Sequence, residues 1–218
     1  YPNEPFAARG QAVDHWTRMA SGWGLADLWI AAATRGRDEP PMIPPDRARS
    51  GWSQYTKTQA ALYLLRHHVL HDTSRFDAAF REYVRRWAFK HPTPADFFRT
   101  MEDALGEDLS WFWRGVFYRT DIVDQAVDSV VAGPDTTGRR MTRIYLASRG
   151  GLPMPVVLRL TFADGTTESA GLPVEIWYRG NRYVYAREFP VEVNRVEIDP
   201  EQVLPDVRRE NNVWPSTP

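Results

Sequence analysis

Two places in the chain carry side chains whose type and spacing could do chemistry. The first is His67-His68-Val69-Leu70-His71. His67 and His71 stand four residues apart, and on a helix that spacing puts both imidazoles on one face, as a zinc pair requires. His68 occupies the place where such a motif carries its general-base glutamate, and no third ligand follows nearby. The favoured reading is a solvated histidine cluster at a helix C-terminus, with a metal site as the alternative. The second place is Tyr55, which stands at the entrance of an apolar helix straight after a proline-rich loop. Taken by itself it is a helix-start aromatic, for which packing is the ordinary reason. Other chemistries find no footing. There is no cysteine, no Gly-x-Ser-x-Gly elbow and no phosphate-cradling glycine loop, and Arg149-Gly150-Gly151 reads as a turn between strands.

The elements that must position these residues can be read from periodicity. Residues 11–20 and 25–34 each suit a helix, and residues 35–50 form a loop because Pro40-Pro41 and Pro44-Pro45 remove donors and restrict their predecessors. From Gln54 a helical pattern starts, with Ala60, Ala61, Leu64, Leu65 and Val69 on one row. A second helix spans 74–89, with Glu82 and Arg86 paired on its wet side. Thr93, Pro94 and Asp96 predict the start of a third over 94–105, stopped by Gly106. A fourth covers 108–119, so this part reads as an α-helical bundle.

After Asp124 the pattern alternates. Strands are expected over 141–147, 156–162, 174–178, 182–186 and 191–198, with hairpin turns at Ala163-Asp164-Gly165-Thr166 and Arg179-Gly180-Asn181. The predicted fold class is therefore α+β and multidomain. It comprises a helical part over 1–124, a β-sandwich of immunoglobulin or fibronectin type over 125–205, and an extended polar tail over 206–218.

Bulk composition narrows the partners. Of 218 residues, 27 are Lys or Arg and 28 are Asp or Glu, so no basic excess recommends nucleic acid. No apolar run reaches the roughly 20 residues of a membrane helix. Nine tryptophans predict large aromatic contacts, mostly in the core.

The segment Ser53-Gln54-Tyr55-Thr56-Lys57-Thr58 resembles the Tyr-x-Lys-Gly segment of the M1 family of zinc aminopeptidases, with Thr58 in place of the glycine. The likeness continues through Phe89-Lys90-His91-Pro92-Thr93-Pro94-Ala95-Asp96-Phe97-Phe98 and Asp108-Leu109-Ser110-Trp111-Phe112-Trp113. It implies that Tyr55 donates a hydrogen bond to the oxyanion formed when zinc-activated water attacks a peptide carbonyl. Tyr1-Pro2-Asn3-Glu4-Pro5-Phe6-Ala7 is similar to the stretch holding the family's third zinc ligand, which makes Glu4 the candidate ligand. The family's His-Glu-x-x-His and Gly-x-Met-x-Asn do not occur in this chain. The resemblance therefore implies the C-terminal portion of a zinc metallopeptidase, with an N-terminal catalytic half lying before Tyr1. Zinc and a peptide substrate belong to the intact protein. No cofactor is expected on this chain alone, which should be inactive. Exported bacterial relatives favour an extracytoplasmic site. The alternative is a non-catalytic binding or scaffold module, using aromatics among Trp177, Tyr178, Tyr183 and Tyr185 of the sandwich toward a peptide, a glycan or another domain, although alternation puts Trp177 and Tyr178 on opposite faces and so forbids a single patch of all four.

Overall fold

A computed structural model describes residues 24–49, 51–134 and 136–215. The chain divides into two compact units, Tyr1–Thr120 and Asp121–Pro218. The first is helical and the second is built of antiparallel sheets, so the fold is mixed α+β. The helix expected over 11–20 lies outside the described residues.

In the helical unit, α1 spans Leu25–Thr34 and buries Leu25, Trp29 and Ala32, at helical spacing on one face. The proline-rich segment that follows holds its shape through Glu39. This carboxylate is buried and accepts from the backbone N–H of Arg49 at 3.1 Å and from its Nε at 2.8 Å. Helix α2, Thr58–Leu64, is flanked without a break by a wide π turn at Trp52–Lys57 and another at Leu65–Val69. Its inner face carries Ala60, Ala61 and Leu64, and Leu65 of the following π turn continues that face, all buried.

Helix α3, Thr73–Trp87, starts where the Asp72 carboxylate accepts from the N–H groups of Ser74 and Arg75. On its wet side Glu82 holds Arg86 at 2.6 Å, as its spacing requires. Helix α4 spans Pro94–Leu105, opened by a reciprocal Thr93–Asp96 capping box and closed by Gly106 at φ 68°. Helix α5, Ser110–Trp113, passes into a π turn at Arg114–Tyr118 and buries Trp111, Phe112, Trp113, Val116 and Phe117. Phe98 stacks on Trp113 at 4.8 Å, and Phe97 meets Tyr83 edge-on at 4.9 Å, so α3, α4 and α5 share one aromatic core.

The second unit holds two antiparallel sheets. The first has the order β1 (Gln125–Pro134), β2 (Arg140–Ser148), β5 (Arg182–Arg187). The second has the order β4 (Thr167–Leu172), β3 (Val156–Phe162), β6 (Val193–Ile198), β7 (Val213–Trp214). Strand β3 buries Val156, Leu158, Leu160 and Phe162 in strict alternation. The turn at 163–166 forms as its residues require, with Gly165 at φ 84° and Asp164 accepting from the Thr166 N–H at 3.0 Å.

Two expectations fail in this unit. Residues 174–178 are not a strand: Val174–Trp177 is a 3-10 turn, so no hairpin forms at 179–181. The Trp177 indole donates to the Met154 carbonyl at 2.8 Å, and that buried anchor outweighs the short strand pattern. Residues from Asp206 are not an extended tail either. Asp206 is buried and accepts from the Gln125 N–H at 2.8 Å, and Val213–Trp214 form strand β7.

Candidate functional site

Tyr55 sits in the π turn that opens the long helix, and its ring is 78% exposed. The ring lies over Gly51, where an added Cβ would stand 3.4 Å from it. Among the described residues its hydroxyl has no hydrogen-bond partner, so it is open to an incoming group. The same turn points the other way at Ser53 and Lys57, both completely buried. Residues two apart on a helix project to nearly opposite sides, so anchoring Lys57 inward commits Tyr55 outward.

The anchor is an ion pair. Lys57 Nζ stands 2.7 Å from Asp38 Oδ2 and 5.2 Å over the buried Trp29 ring. The cation thereby meets a carboxylate from the proline-rich loop and an aromatic face from α1, which together offset its desolvation. Asp38 Oδ1 is buried with no partner among the described residues. Three segments (α1, the loop and the π turn) therefore converge behind Tyr55.

The histidine cluster does not form a metal pair. His67 stacks on Tyr63 with ring centroids 4.2 Å apart, and its Nε2 is 2.7 Å from Arg66 Nη1. An arginine can only donate, so His67 Nε2 accepts and the ring is neutral. Burial, then the Arg66 charge, hold its pKa below the ordinary value. His68 is pushed down to about 4, chiefly by burial and then by its histidine neighbours. His71 lies past the helix end with φ 52°, so the shared face that its spacing promises is lost. Among the described residues no group of three His, Cys, Asp or Glu side chains could hold a metal. Glu4, the candidate ligand, lies outside the described residues.

Trp177, Tyr178, Tyr183 and Tyr185 of the second unit do not share one patch, as expected. Trp177 is buried while Tyr178 is 57% exposed. Tyr183 and Tyr185 lie opposite the buried Leu146 and Ile144, which places them on the inner side of their sheet.

Beyond its place in the Tyr-x-Lys match, the sequence assigns Lys57 no role, and it assigns none to Asp38. Lys57 had a signal: with Ser53, Ala60, Ala61 and Leu64 it completes the helical row that faces inward. Asp38 had none, because a carboxylate 19 residues away in an irregular loop shows no periodicity.

No family model matches the chain, and no curated protein matches it. Among solved structures, the fold is similar to a crystal structure of Legionella pneumophila aminopeptidase A in complex with aspartic acid, with a TM-score of 0.54 and 11% identity. The match covers 85% of this chain and 23% of that one, so the chain spans about a quarter of the aminopeptidase. The likeness is one of fold: helices followed by antiparallel sheets, similar to part of an aminopeptidase.

Proposed function

We propose that this chain is a C-terminal portion of an M1-like zinc metallopeptidase, in which Tyr55 stabilises the oxyanion of peptide hydrolysis and the two sheets form a β-sandwich that follows the helical part in sequence. The supporting observation is Tyr55 itself. Its outward phenol, without a hydrogen-bond partner among the described residues, opens a helix in a chain whose fold is similar to part of an aminopeptidase. The described residues do not supply a zinc site. Glu4 is the one ligand proposed from this chain, and the other ligands would come from polypeptide outside it. What the chain itself provides is a donor held on a rigid element. As negative charge gathers on the carbonyl oxygen, a phenol O–H already aimed at it needs no reorganisation, and such a donor is worth about 3–4 kcal/mol of barrier.

The test uses the full encoded protein, purified and assayed for metal content and for hydrolysis of aminoacyl and peptide substrates. Stoichiometric zinc, with hydrolysis that a chelator abolishes and zinc restores, is the expected result. A folded full-length protein without bound metal and without hydrolysis of any peptide would overturn the proposal.

One observation favours a second reading, a binding or scaffold module. Val131, Tyr145 and Val184 are exposed large apolar side chains on one face of the first sheet. Peptide and glycan arrays probed with the whole chain and with Tyr145→Ser test it. A signal that disappears in the variant supports this reading, and a blank array removes the ligand-binding part of it.

A further inference from the structure

The helical unit contains a groove of about 460 Å³ between α2 and α3, within the size range of sites that hold a small ligand or a large side chain. Its floor is apolar: Leu62 and Tyr63 from one helix face Phe76 and Phe80 from the other. Phe80 is 38% exposed, although a phenylalanine on this face would be covered in a closed core. The rim is polar and its charge is unbalanced. Arg66 Nε and Nη2 grip Asp77 Oδ1 and Oδ2, each at 2.7 Å, so those two charges answer each other. Arg81, one turn beyond Asp77 on α3, also lines the groove; it feels the Asp77 charge but makes no direct ion pair among the described residues. The groove thus offers an aromatic and aliphatic floor and a rim of two guanidiniums, Arg66 and Arg81, around the single Asp77 carboxylate, which leaves an excess of one positive charge on the Arg81 side.

That combination matches one kind of occupant, an apolar group carrying a single carboxylate. A neutral apolar ligand would leave Arg81 unused, and a dianion would face Asp77. We propose that this groove binds the C-terminal residue of a peptide, with its aromatic or branched aliphatic side chain on Phe76 and Phe80 and its α-carboxylate on Arg81. The inference goes beyond the peptidase reading and does not depend on it, because binding can be measured on this chain without any turnover. It also has a topographic consequence. Gln59, Leu62, Tyr63 and Arg66 follow Tyr55 at helical spacing on the same side of the helix. The groove floor begins about 10 Å along the axis from the Tyr55 position.

The experiment is a calorimetric or NMR titration of the whole chain with N-acetyl-phenylalanine, its amide, and octanoate. The acid should bind saturably and about fivefold more tightly than the amide, since only the acid engages Arg81. Arg81→Gln should erase that preference while leaving the amide's affinity unchanged. Phe80→Ala should weaken both. Both substituted side chains are partly or fully exposed, and matching thermal melts would show that the variants fold. Equal binding of acid and amide, binding indifferent to both substitutions, or no binding by the folded wild-type chain would each overturn the proposal. Octanoate binding more tightly than N-acetyl-phenylalanine would also overturn it, by assigning the groove to a lipid acid instead of a peptide end.

Discussion

At Lys57 a completely buried ammonium is tolerated because Asp38 and Trp29 both answer its charge. Removing one partner leaves the other charge stranded, so Lys57→Met or Asp38→Asn should each destabilise the helical unit by about 3–5 kcal/mol. The double variant should recover much of that loss, because it removes both charges together. Urea unfolding followed by tryptophan fluorescence checks this. Single variants as stable as the parent would mean that the pair does not fix the turn carrying Tyr55. The residue scale is also where the sequence was least complete. Tyr55 was singled out by the Tyr-x-Lys resemblance and not by its place at a helix start, and the loop carboxylate that holds its neighbour had no signal at all. Likewise, the face shared by His67 and His71 assumed a regular helix. The π turn at Leu65–Val69 and the left-handed backbone at His71 remove that face.

Elements with chemical punctuation were legible, and those without it were not. Helix α4 has the bounds that Thr93, Pro94 and Gly106 dictate, because a cap, a ring-fixed φ and a left-handed stop are local effects. The strand expected over 174–178 does not form, because so short an apolar run next to a turn signal satisfies a strand pattern without requiring one. Its fate was decided instead by one distant hydrogen bond from Trp177 to Met154. Gly150 is a similar case. A Cβ there would stand 2.2 Å from the Ile122 carbonyl oxygen and 2.6 Å from the Asp124 nitrogen, both backbone atoms with no room to give. Gly150→Ala should cost the β unit about 3 kcal/mol, the upper end of overpacking penalties. Gly165→Ala, where nothing lies near and only the positive φ opposes a side chain, should cost about 1 kcal/mol. Thermal melts of the two variants would show the order. Equal shifts would contradict the close approach.

Over the whole molecule, the two units should respond oppositely to acid. Burial pushes the Asp199 carboxyl up to about 6, against the pull of the Leu204 and Val203 amides that it accepts from. Its folded form therefore holds a proton that the unfolded chain, titrating near 3.8, releases. The resulting stabilisation is complete below about pH 4 and is lost as pH rises through about 6. His68 runs the other way: its pKa is lowered from 6.5 to about 4, so its contribution is present above 6.5 and lost as pH falls toward 4. Between pH 7 and pH 5, the melting temperature of the helical unit should fall while that of the β unit rises. Asp199→Asn should flatten the second response and His68→Gln the first. Scanning calorimetry at the two pH values checks this, and transitions moving in the same direction would contradict it.

The order of helices and then sheets was readable because periodicity changes near Asp124. Strand β7 was not, because a two-residue strand has no period to read. The central claim belongs to this scale too, since it concerns a protein of which the chain is proposed to be part. Its most direct test is Tyr55→Phe in the full encoded protein, a change that removes one oxygen from an exposed ring and leaves packing intact. The account predicts a kcat lower by about 10²–10³ with KM within about twofold and an unchanged melting temperature. An active full-length peptidase whose kcat is unaffected by the substitution would contradict it.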